Sequence, residues 1–123
     1  MEKSKVLSAI TDTGLVAVVR ANNEEEAFKI TDACLEGGCK SIELTFTVPG
    51  ADKVINALAK KYAPGEIMLG AGTVLDSETA RIAILSGANY IVSPGCNAEA
   101  AKLCNRYQIP YFPGCMTITE VLT

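Results

Sequence analysis

Lys40-Ser41-Ile42-Glu43-Leu44-Thr45-Phe46 is the stretch that decides the fold. It has the β-branched and aromatic content of a strand, and side chains alternate faces along a strand, so Ile42, Leu44 and Phe46 share one face. Ser41, Glu43 and Thr45 share the other. A central strand of an open parallel sheet is apolar on both faces because helices cover both. A carboxylate in mid-strand needs a solvated or polar cavity instead, and a barrel interior supplies one.

The segments around this strand set its context. A helix is expected over Lys3–Asp12, with Val6, Leu7 and Ile10 on one face, ending at Thr13-Gly14. Strand Leu15–Arg20 follows, then a helix over Glu24–Leu35 capped by Asn23, with Ala27, Ile30, Ala33 and Cys34 at helical spacing before Gly37-Gly38. After Lys40–Phe46 a helix runs from Pro49 to about Tyr62, burying Val54, Ile55, Leu58 and Ala59. Strand Ile67–Leu69 enters Gly70-Ala71-Gly72-Thr73, and Asp76 with Ser77 caps a helix to Ser86. Strand Asn89–Val92, the turn Ser93-Pro94-Gly95, helix Ala98–Tyr107 and strand Pro110–Phe112 complete the series. Thr117-Ile118-Thr119-Glu120 is a capping box opening one more helix. Strands begin near residues 15, 40, 67, 89 and 110, a βα repeat that calls for a parallel sheet with right-handed crossovers.

Two architectures compete for this pattern. A doubly wound sheet of five strands is complete at 123 residues. A (β/α)8 barrel typically needs about 200 residues or more, so five strands leave two open edges and an unfilled interior. The barrel is preferred because Glu43 fits its inner face. In addition, Arg20, Thr45, Thr47, Thr73, Ser93-Pro94 and Pro113-Gly114 all fall where strands end, which is the catalytic end of a barrel.

Composition narrows the chemistry. The chain is 49% hydrophobic and 20% charged, which is globular material, and its net charge of -3 lacks the basic footprint of a nucleic-acid binder. No apolar run of membrane-spanning length or secretory leader is present, so a cytoplasmic protein without membrane partners is expected. Histidine is absent, which removes the commonest general base and metal ligand. Chemistry must then run on carboxylate, amine, hydroxyl or thiol. The five cysteines, Cys34, Cys39, Cys96, Cys104 and Cys115, are an odd number in a chain with an ordinary core and are taken as reduced thiols. Cys34 and Cys39 have no second pair to complete a zinc site, so no metal is expected. Gly70-Ala71-Gly72 lacks the third glycine of a dinucleotide fingerprint, so no nicotinamide cofactor is expected. Cys96 and Cys115 lie near the rim with no histidine to activate them and are bystanders.

Five segments carry a resemblance: Ala17-Val18-Val19-Arg20-Ala21-Asn22, Ile42-Glu43-Leu44-Thr45-Phe46-Thr47-Val48-Pro49, Gly70-Ala71-Gly72-Thr73-Val74, Ile91-Val92-Ser93-Pro94-Gly95 and Pro113-Gly114-Cys115-Met116-Thr117. In order and spacing they resemble the bacterial 2-keto-3-deoxy-6-phosphogluconate (KDPG) and 4-hydroxy-2-oxoglutarate (KHG) aldolases, from the first strand to the last residue. The resemblance implies a (β/α)8 barrel, a class I aldolase working through a lysine Schiff base without a metal or other cofactor, a small keto acid as substrate and a homotrimer. It makes Glu43 the catalytic carboxylate that handles protons in carbinolamine formation, imine formation and carbon–carbon cleavage. A carboxylate in a partly desolvated barrel mouth has its pKa raised toward the working range, which suits that role. Pairing with Arg20 across neighbouring strands is the other role open to Glu43, and the two are compatible. Arg20 resembles the substrate-anion arginine; some members carry theirs on the second strand, where Thr47 stands here. Thr73 resembles the threonine that hydrogen-bonds the pyruvoyl carboxylate, and Pro94 is expected to stiffen the rim and pack against substrate.

The eight lysines do not supply a Schiff base. Lys3, Lys5, Lys29, Lys53, Lys60, Lys61 and Lys102 fall on helices, and Lys40 at the N-terminal end of its strand. In the resembled family that lysine is on the sixth strand and the phosphate cradle on the last two. Residues 1–123 are therefore expected to be the N-terminal part of a single barrel domain, an expectation strengthened by Thr123 falling inside a helix just capped. The alternative is a catalytically inactive half-barrel that binds or oligomerises through its open edges.

Overall fold

A computed structural model describes residues 1–123. The elements are α1 (Lys3–Thr13), β1 (Val16–Val19), α2 (Glu24–Glu36), β2 (Ser41–Thr45), α3 (Ala51–Lys61), β3 (Met68–Gly72), α4 (Ser77–Ser86), β4 (Tyr90–Ser93), α5 (Ala98–Arg106), β5 (Tyr111–Pro113) and α6 (Ile118–Leu122). Their order is the expected one. Asn23, Asp76 and Asn97 cap α2, α4 and α5 by accepting the backbone N–H groups of Glu26, Thr79 and Ala100 at 2.7–2.8 Å. Thr117 caps α6, while the Glu120 carboxylate reaches back to the Met116 N–H at 3.1 Å, one residue before the cap.

All five strands are parallel and lie in the order β1-β2-β3-β4-β5. A doubly wound sheet reverses its order at a switch point. Here every crossover steps the same way, so right-handed connections lay α2, α3, α4 and α5 side by side on one face and leave the other face as the inner wall of a barrel.

The two faces bury different things. Ile42, Leu44, Leu69, Ala71 and Ile91 point outward into a core of 18 buried residues shared with the helices, among them Ala27, Val54, Ile55, Leu58, Ala80 and Ala83. On the inner wall, Val6 of α1 packs against Met68 and Tyr90, with Ile10 and Val16 beside them, so α1 closes the N-terminal end of the wall. Helical spacing predicts three side chains into contacts they do not make: Leu7, Ala33 and Ala59 are exposed. In α3 the stripe Val54, Ile55 and Leu58 already fills the sheet contact, and Ala59 is turned toward the Gly87 turn of α4. In α2 the buried positions are Ala27 and Thr31. Strand β3 extends beyond the expected Ile67–Leu69 through both glycines. Its ladder partners hold them in line, with Glu43 opposite Gly70, Thr45 opposite Gly72, and the Phe46 N–H donating to the Gly72 carbonyl at 2.9 Å.

Candidate active site

Val18, Glu43, Gly70 and Tyr90 form one register row across β1, β2, β3 and β4, and all four lie on the inner wall. Glu43 is half-buried there. Burial is the largest influence on its carboxyl and raises its pKa above the usual glutamate value; the positive charge of Arg20 works weakly against this. Arg20 follows β1 directly and is exposed, and its guanidinium makes no ion pair within 4.0 Å: every salt bridge of the chain is made by a lysine. The expected Arg20–Glu43 pairing is therefore felt through space and is not a contact.

The other site residues stand one layer nearer the C-terminal ends of the strands. Thr45, the last residue of β2, is buried with its hydroxyl 2.8 Å from that of exposed Thr47. Thr73 follows β3 and takes φ 56, a left-handed conformation uncommon for a β-branched residue and the kind of strain that collects at functional sites. The bend lets the Val74 N–H donate to the Val92 carbonyl at 3.2 Å, while Asp76 two residues on turns the chain into α4. Pro94, after β4, is exposed on the rim. The loop that carries it is pinned by Tyr111, whose hydroxyl accepts from the Asn97 N–H at 3.1 Å and donates to the Gly95 carbonyl at 3.3 Å. Cys115 and Cys96 come together on the same rim, and burial followed by the neighbouring Cys96 thiol raises the Cys115 pKa. That leaves Cys115 a poorer nucleophile at neutral pH than a free thiol. Nowhere do three or more metal-ligating side chains converge.

The sequence assigns no site role to three residues of this wall, Tyr90, Gly70 and Gly72. Tyr90 is almost wholly buried, with its ring over Gly70 and its edge against Phe112 at 5.9 Å between centroids. Gly72 lies under the Glu43 side chain. A signal is present, because glycine inside a strand marks a close approach of another group, a reading that neither the incomplete dinucleotide fingerprint nor the family resemblance of Gly70-Ala71-Gly72 uses. A groove of about 710 Å³ is elsewhere: it runs outside the sheet between α2 and α3, where Lys53, Lys60 and Lys61 face Glu24 and Asp52. Its mixed charge and its place on the helix side of the sheet separate it from the inner wall.

The winding of the sheet, with its polar groups gathered at the strand ends, defines the class as (β/α)8 barrels, of which the chain holds an N-terminal helix and the first five βα units. The family described as KDPG and KHG aldolase matches residues 6–123, and the chain belongs to that family. A 2-dehydro-3-deoxy-phosphogluconate aldolase of Treponema pallidum is 33% identical over 94% of this chain and 54% of its own length. The KHG/KDPG aldolase of Escherichia coli K12 is 30% identical over 98% and 55%. The crystal structure of KDPG aldolase from Legionella pneumophila, with pyruvate captured at low pH as a covalent carbinolamine intermediate, superposes with a TM-score of 0.86 at 25% identity, covering 99% of this chain and 57% of that one. The chain thus spans about half the length of the relatives it matches. No helix is long and apolar enough to cross a membrane.

Proposed function

We propose that residues 1–123 form the N-terminal part of a single-domain class I aldolase. It reversibly cleaves 2-keto-3-deoxy-6-phosphogluconate to pyruvate and glyceraldehyde 3-phosphate, 4-hydroxy-2-oxoglutarate to pyruvate and glyoxylate, or both. The observation that carries the proposal is Glu43: a half-buried carboxylate with a raised pKa on the inner wall of a barrel from this aldolase family. Such a group can hold a proton at one step and release it at the next, as carbinolamine formation, dehydration to the imine and carbon–carbon cleavage demand in turn. Arg20, at the mouth and free of other ion pairs, is suited to a substrate anion. Thr73 offers its hydroxyl to the pyruvoyl carboxylate, and Pro94 forms the rim against which substrate packs. A homotrimer in the cytoplasm, needing no cofactor, completes the proposal.

The imine-forming amine is assigned to a lysine beyond residue 123. In support, the lysines of this chain lie on α1, α2, α3 and α5, or, as Lys40, before β2 at the opposite end of the wall from Arg20 and Thr73. Treating the 123-residue chain with pyruvate and sodium borohydride and weighing it tests the assignment. An unchanged mass is expected, with one reduced pyruvyl adduct on the intact enzyme. An adduct on the 123-residue chain would overturn the placement of the nucleophile. The alternative, an inactive half-barrel that binds through its edges, draws on the exposed apolar residues Met116, Ile118, Val121 and Leu122 beside β5. Sedimentation distinguishes it by a defined oligomer of a chain that turns over no keto acid in any form.

A further inference from the structure

The inner wall has a feature that the proposed roles do not use: β3 carries two glycines on this face, and each is covered by a side chain from a different neighbouring strand. The Tyr90 ring from β4 lies over Gly70; a Cβ placed there would overlap the ring, with Cδ2 at 2.7 Å. The Glu43 side chain from β2 lies over Gly72; a Cβ there would overlap Oε1 and stand 2.6 Å from Cδ. Side chains on a strand lean along it, so Glu43, opposite Gly70 in register, has two surfaces of β3 within reach. Tyr90 occupies the lower one and is fixed there by its hydroxyl bond to the Ile42 carbonyl at 3.1 Å. The upper one remains only because residue 72 has no Cβ.

We infer that Gly72 is a positioning residue for Glu43, with Tyr90 as its floor: the bare backbone at Gly72 is the seat that holds the carboxylate against the barrel wall. The inference rests on the assignment of Glu43 as the proton-handling group. The titratable and charged groups facing Glu43 are Arg20 from the end of β1 and Tyr90 from β4, since β3 carries no titratable side chain. Adding a Cβ at residue 72 must move the carboxylate off the wall and into solvent. That change favours its ionised form.

The test follows the Glu43 carboxyl carbon by NMR through a pH titration of the chain, in wild type and Gly72→Ala, with Gly95→Ala as a control because a Cβ there meets nothing within 4 Å. In Gly72→Ala the midpoint should fall by about half a pH unit or more, and in Gly95→Ala it should stay. A folded Gly72→Ala chain with an unchanged midpoint overturns the inference. Should Gly72→Ala fail to fold, adding Glu43→Asp withdraws the carboxylate by one methylene and should restore folding; failure of that rescue also overturns it. The titration needs no turnover, so its outcome is separate from that of the aldolase proposal. A lowered midpoint together with an intact enzyme that cleaves no keto acid would refute the reaction and leave the seat.

Discussion

The Tyr90 hydroxyl donates to the Ile42 carbonyl at 3.1 Å and so ties β4 to β2 across the full width of β3. The bond is possible because Gly70 leaves the ring a path over the intervening strand. Burial, then the negative charge of Glu43, raises the Tyr90 pKa, so the hydroxyl keeps its proton and stays a donor throughout the working range. Tyr90→Phe keeps the ring over Gly70 and its edge contact with Phe112 while removing the donor. It should cost about 1 kcal/mol in urea unfolding with the Glu43 titration unchanged. A neutral substitution would mean that the bond contributes nothing net.

Glu43 makes stability depend on pH. Its folded pKa lies above the unfolded value, so between the two the folded chain binds more protons and stability falls as pH rises. The cost is absent below the usual glutamate range and fully present above the folded value. Glu43→Gln cannot ionise, so its urea midpoint should gain on wild type from pH 4 to pH 8. A gap that is constant or narrows with pH would show that the carboxyl is not held in a desolvated place.

Arg20 lowers the Glu43 pKa through space without an ion pair. Arg20→Ala should therefore move the Glu43 titration midpoint upward, and added salt should do the same to wild type, because an exposed charge is screened. A downward movement would place the guanidinium elsewhere.

In the full-length aldolase proposed above, Glu43→Gln should lower turnover more than about tenfold, with the pyruvate imine still trappable by borohydride. Equal turnover in the two proteins would remove Glu43 from proton transfer.

Much of this arrangement was legible in residue order. The period-2 pattern of β2 placed Glu43 on the face opposite Ile42 and Leu44, and Asn23, Asp76 and Thr117 announced helix starts because capping is a local interaction between residues two or three apart. The places of Arg20, Thr73 and Pro94 just after β1, β3 and β4 were legible because apolar runs and turn residues mark where strands end. The left-handed backbone at Thr73 was not legible, since it is imposed by the ladder of β3 and the bond from Val74 to Val92, and nothing in a threonine signals it. Leu7, Ala33 and Ala59 were misplaced because helical spacing gives the apolar stripe but not the rotation at which it meets the sheet.

The sequence by itself determined the alternation of strands and helices, the face on which Glu43 stands and the family, because these follow from local period and from motifs in order. The tertiary structure decided what Gly70 and Gly72 are for. They are two residues apart in one strand, and the side chains that cover them come from β4 and β2, as Tyr90 and Glu43. Only lateral pairing of three strands brings those groups over the same backbone, and only the absence of two Cβ atoms lets them settle there.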